Sequence, residues 1–169
     1  DIFNTVLETD DHGSFNSWGR DRYWSSNHRG ISEPAVRQDP RLPFLDALEP
    51  TVLRYTRWRC DHGWDVDLDD GSSNYDIHHN LFLAGGLKFR EGYRRKAWNN
   101  VMVNNGFHPH VWFQDSESEL HGNILMRAHA PIGQPANWGA RIDRNLFTRE
   151  ADRTRHLAAG ADTNSLSGD

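Results

Sequence analysis

From Trp64 to Phe113 the chain alternates apolar and polar residues, and the alternation repeats. Setting Gly71 over Gly92 lays Val66-Asp67-Leu68-Asp69-Asp70 on Leu87-Lys88-Phe89-Arg90-Glu91, and Val111-Trp112-Phe113-Gln114-Asp115 fits as the next rung. Val66, Leu68, Leu87, Phe89, Val111 and Phe113 then share one face, because successive side chains of a strand point to opposite sides. The other face carries two columns, Asp67-Lys88-Trp112 and Asp69-Arg90-Gln114. A third column at the strand ends joins Asp70, Glu91 and Asp115.

A second pattern runs beside the first. Short apolar strands recur at Val52-Leu53, Leu81-Phe82-Leu83, Val101-Met102-Val103, Ile124-Leu125-Met126 and Leu146-Phe147. The last four follow Asn80, Asn100, Asn123 and Asn145, at separations of 20, 23 and 22 residues. One Asn per turn at such a period marks a solenoid whose Asn side chains bond from rung to rung. The rungs are too short and too β-rich for leucine-rich or helical repeats, so the sequence predicts an all-β fold, a right-handed parallel β-helix, in one domain spanning 1–169. Ile2 to Glu8 reads as a short strand and 137–143 as an imperfect rung, with a short helix over 148–160. Between residues 25 and 50 the pattern breaks, with four prolines, and this stretch reads as an irregular excursion that walls a cleft.

Composition narrows the function. Net charge is −5 and the Arg residues are interspersed with acids, which argues against nucleic acid. Mean hydropathy of −0.82 and the lack of a long apolar run argue against a membrane span. The single Cys60 rules out an intrachain disulfide framework. Seven Trp and ten His gather near the acidic stretch, a mixture suited to the apolar faces and hydroxyl edges of sugar rings. The absence of an initiator Met and the abrupt end suggest a central fragment of a longer protein.

Rungs of a solenoid lie about 4.8 Å apart, so carboxyl groups at Asp70 and Glu91 would lie roughly 5 Å apart, the spacing of a retaining glycosidase. Asp69 competes with Asp70 for the nucleophile, and Lys88 and Arg90 would keep it ionised. Asp67, Arg90, His62, His108, His110, Trp112, Gln114, Trp18, Asp11 and His12 are the candidate sugar contacts. The same acids also fit a solvated edge balanced by Arg90, Arg94 and Arg95. Asp65, Asp67, Asp69 and Gly71 suggest a calcium loop, but Asp70 stands where that loop needs Gly and Asp76 where it needs Glu. His108-Pro109-His110 lacks a third zinc ligand at a recognisable spacing. No cofactor is expected.

The stretches LETDDHGSFNSWGRDRYW, RCDHGWDVDLDDGSSNY, LKFREG and NNGFHPHVWF resemble the bacterial parallel β-helix glycosidases, above all the β-xylosidase-type glycoside hydrolases of family 120. The resemblance runs over nearly the whole chain. It implies retaining hydrolysis of xylo-oligosaccharides or related plant and microbial glycans, with Glu91 of LKFREG as acid/base and Asp69 or Asp70 of DVDLDDG as nucleophile. It favours a secreted or periplasmic bacterial protein. Two other readings stand beside it, a polysaccharide lyase acting on uronates and a carbohydrate-binding solenoid without catalysis.

Overall fold

The computed structural model describes residues 1–19, 32–113, 115–127, 141–149 and 165–166. Every strand pairing in it is parallel, and three sheets wind into a β-solenoid of about four turns. Numbered in chain order, sheet A stacks β1 (Ile2–Phe3), β4 (Arg57–Arg59), β7 (Leu81–Phe82), β10 (Val101–Met102), β13 (Ile124–Leu125), β15 (Leu146–Phe147) and β16 (Ser165–Leu166). Sheet B stacks β2 (Gly13–Ser17), β5 (Trp64–Leu68), β8 (Leu87–Phe89) and β11 (Phe107–Pro109). Sheet C stacks β3 (Thr51–Arg54), β6 (Tyr75–His78), β9 (Arg95–Trp98), β12 (Glu119–His121) and β14 (Arg141–Asp143). Each full coil passes through C, A and B in turn.

Alternation places one side chain in two inside the coil. Val66, Leu68, Ile77, Phe82, Leu87, Phe89, Ala97, Met102, Phe107, Leu120, Leu125 and Phe147 have no exposed surface and form one continuous core. Stacked in register, equivalent residues of neighbouring rungs pack on one another, as Val66 on Leu87 and Leu87 on Phe107.

The corner from sheet C to sheet A is held by the asparagines. The Oδ1 of Asn100 accepts the backbone N–H of Asn80 at 3.0 Å and its Nδ2 at 3.1 Å, and the Nδ2 of Asn100 donates to Ile77 O and to Asn123 Oδ1. Asn123 repeats the pattern with Asn145, and the buried corner amides are thereby paired. The residue before each ladder position turns the chain through positive φ: Tyr55, His79, Asn99, Gly122 and Arg144. On the outside of sheet C, His78 stacks on Trp98 at 4.6 Å and Trp98 on His121 at 6.1 Å, so His78 serves the rung stack.

Register confirms the first alignment and corrects the second. Val66 pairs with Leu87, Asp67 with Lys88 and Leu68 with Phe89, as the alternation predicts. The next rung is Phe107-His108-Pro109, not Val111-Trp112-Phe113. His108 therefore takes the place expected of Trp112, and Asp115 leaves its column to pair with Arg37 at 3.3 Å. The strand expected over Ile2 to Glu8 ends at Phe3, because Asn4 and Val6 turn through positive φ, and β2 adds a further strand directly beneath β5.

The segment expected to be irregular contains, in its described part, a helix at Ser32–Gln38 and a 3-10 turn at Leu42–Phe44. Pro34 sits in the helix's first turn, where a missing N–H costs nothing. Val36, Leu42 and Phe44 pack with Tyr93, Phe113 and Val111, which fastens the excursion to the outside of the coil. Gln114, residues 137–140 and the helix predicted beyond Arg149 lie outside the described residues.

Candidate functional site

Charged residues normally face water, but those of sheet B's outer side are sealed. Asp67 and Lys88 keep 0% and 2% of their side-chain surface, and Lys88 Nζ donates to Asp67 Oδ2 at 2.9 Å. The register continues the column with Asn16 on one side and the fully buried His108 on the other. The ammonium also lies 3.8 Å from Asp11 and 4.0 Å from Asp69, and 5.3 Å from the centre of the Trp64 ring. Burial pushes the Asp67 carboxyl up to about 6; Lys88 pulls it down, and the charges of Asp69 and Asp11 push it up further.

The next column centres on Arg90. Its Nε lies 2.9 Å from Asp70 Oδ1, 3.5 Å from Glu91 Oε2 and 3.7 Å from Asp69 Oδ1. One guanidinium thus collects carboxylates from two adjacent rungs, which leaves room for the ~5 Å separation of a retaining pair. The three acids differ in their surroundings. Asp70 is buried and engaged on both oxygens, by Arg90 Nε and by Nη2 at 3.4 Å. Glu91 has no exposed surface, and neither of its oxygens accepts a hydrogen bond from a described residue. Asp69 keeps 25% of its side-chain surface. Its Oδ1 accepts the Asp70 N–H at 2.9 Å and is the same oxygen that faces Lys88 and Arg90.

Beside this network, at the corner between sheets A and B, is an open cavity of about 570 Å3 lined by Asp10, Asp11, Asp61, His62, Trp64 and Asn105 among others. Asp65 builds this corner. Its carboxylate accepts the backbone N–H groups of Cys60, Ala84 and Gly86, so it ties together both loops that border the cavity. Gly85 lets the loops meet, because a Cβ there would lie 2.2 Å from Asp65 N. Asp65 serves the corner amides while Asp67 and Asp69 face Lys88, and among the described residues these acids do not converge as a cation loop would require.

The structure gathers some candidate contacts and separates others. Asp11 and His62 border the cavity, and His12 is exposed at the same corner with its ring on Asp10 O. His108 and His110 pack edge-on against Trp64 at 4.5 and 5.4 Å. Trp112 is 2% exposed and packs on Phe89 and Phe107 in the core, so it offers no platform to a ligand. Trp18 is 56% exposed but borders a different cavity, about 320 Å3, shared with Gly71, Ser72 and Tyr75. Gln114 lies outside the described residues. Neither of these two cavities is lined by Asp69, Asp70 or Glu91.

Sequence reasoning passed over Asp65 as an organiser and Trp64 as the ring closest to the buried charges. The signal for Asp65 was the period itself. Continuing the alternation back from Val66 assigns Asp65 to the outside, next to the Gly85-Gly86 pair one turn on. Compared with known proteins, the chain matches no family model, no curated protein and no solved structure.

Proposed function

We propose that the chain carries the catalytic centre of a retaining glycoside hydrolase acting on xylo-oligosaccharides or related neutral glycans. The observation that carries this reading is the division of labour around Arg90. Three acids share one cation, yet only Asp69 is partly exposed, and its nearest approaches to the Asp70 N–H, Lys88 and Arg90 are all through one oxygen, Oδ1. Its Oδ2 is the oxygen available to form a bond, which makes Asp69 the nucleophile and leaves Asp70 to anchor Arg90.

Glu91 then supplies the proton. In the first step Asp69 Oδ2 bonds to the anomeric carbon as the glycosidic bond breaks, and Glu91 gives its proton to the departing oxygen. In the second, Glu91 takes a proton from water, whose oxygen bonds to the anomeric carbon as the bond to Asp69 breaks. The acid must start the first step protonated. Glu91 has no exposed surface, and the partly exposed Asp69 and Arg90 beside it mark where the sugar approaches. The lyase reading is weaker on one specific point. Lys88, a candidate base, is already engaged by Asp67 at 2.9 Å.

A panel of aryl glycosides, with uronate polymers alongside, tests the proposal. Release of the aryl group with new reducing ends is the expected result. Products absorbing in the ultraviolet as unsaturated uronates would replace it with the lyase reading, and binding without turnover would leave a carbohydrate-binding solenoid.

A further inference from the structure

A buried ammonium that only neutralised one buried carboxylate would need a single partner. Lys88 has more. Its three N–H donors are held within 2.9 Å of Asp67, 3.8 Å of Asp11 and 4.0 Å of Asp69, under the Trp64 ring, with His108 next in the column and Asn16 beyond Asp67. Asp69 Oδ1 is thereby flanked by two cations, Lys88 from one column and Arg90 at 3.7 Å from the next. Asp67 is the tightest of Lys88's contacts.

We infer that Asp67 and Lys88 form a positioning pair for Asp69: Asp67 fixes the ammonium, and the ammonium holds the Asp69 carboxylate with Oδ1 turned inward and Oδ2 outward. The inference rests on the glycosidase reading for its kinetic consequence and on the geometry alone for the coupling. It moves Asp67 from the sugar contacts to the machinery behind the nucleophile. Misplacing a reacting atom by about 1 Å costs on the order of 100-fold in rate. Loss of the pair should therefore lower kcat by about that factor while leaving KM nearly unchanged.

Two readouts test this. Titration of the Asp67 carboxyl by carbon-detected NMR should show a midpoint near 6 in the unaltered chain, raised by Lys88→Met and lowered by Asp69→Asn, since Lys88 pulls it down and Asp69 pushes it up. Lys88→Met alone strands a buried charge and can unfold the chain, so the kinetic arm uses the double variant Asp67→Asn/Lys88→Met, which removes both charges together. The expected result is a cooperatively folding protein whose kcat on the best aryl glycoside is about 100-fold down. A double variant with undiminished kcat, or an Asp67 midpoint indifferent to Asp69→Asn, would overturn the positioning role. If both midpoint shifts occur but the unaltered chain hydrolyses no glycoside, the glycosidase reading falls and the coupling stands.

Discussion

Asn100→Ala is expected to destabilise the solenoid by about 4 kcal/mol, as several buried polar groups lose partners at about 1–3 kcal/mol each and a small cavity opens. Asn100 is 1% exposed and joins three rungs through one side chain. Without it, the Asn80 N–H loses its acceptor and Ile77 O loses a donor, while Asn123 Oδ1 keeps only the backbone N–H of Asn100. None of these groups can turn to water. The exposed Asn104, a few residues on in the same coil, is the control, and Asn104→Ala should shift stability by less than about 0.5 kcal/mol. Urea unfolding of the two variants measures the difference. A loss below about 1 kcal/mol for Asn100→Ala would mean that the ladder follows the fold and does not hold it.

Glu91→Gln is expected to lower kcat by about 1000-fold on glycosides with poor leaving groups, the usual worth of a positioned general acid. The amide fills the same buried space but has no proton to give to a departing oxygen. A leaving group acidic enough to depart unaided, such as dinitrophenolate, needs no such proton, so its first step should slow far less. Values of kcat/KM, which report the first step, on a short series of aryl xylosides measure this as a steepened dependence on leaving-group acidity. Equal loss across the series would assign Glu91 a structural part, in keeping with its Arg90 contact and full burial.

How much of this was legible before the structure depends on which force fixes each feature. The Asn ladder and the pairing of Val66, Asp67 and Leu68 with Leu87, Lys88 and Phe89 are local repeats of side-chain chemistry, and they read directly from the chain. The third rung did not. Val-Trp-Phe has the stronger strand propensity, whereas His-Pro-His looks like a corner, yet the coil follows the period. Asn80 to Asn100 advances by 20 residues, and so does Leu87 to Phe107. Pro109 is tolerated because β11 is the outermost described strand of its sheet. The β2 rung was hidden for another reason: Phe15 lies under Val66, with the excursion between them breaking the repeat.

The site was legible in composition and only partly in arrangement. Sequence named Asp69, Asp70, Glu91, Lys88 and Arg90, but alternation alone could not say which Asp stays accessible. That distinction arises from Arg90 reaching Asp70 with two nitrogens and from the turn of backbone that gives Asp69 Oδ1 the Asp70 N–H. The misplacement of Trp112 followed from the register error, since a residue three places beyond Pro109 leaves the strand and packs on Phe89 and Phe107.

The claim that Asp69 attacks the sugar is tested most directly by trapping. After incubation with an activated 2-deoxy-2-fluoro xyloside, digestion and fragment mass spectrometry locate any sugar bound to the chain. The account predicts one sugar esterified to Asp69. A label on Asp70 or Glu91, or turnover of the aryl xyloside with no covalent sugar formed, would contradict it.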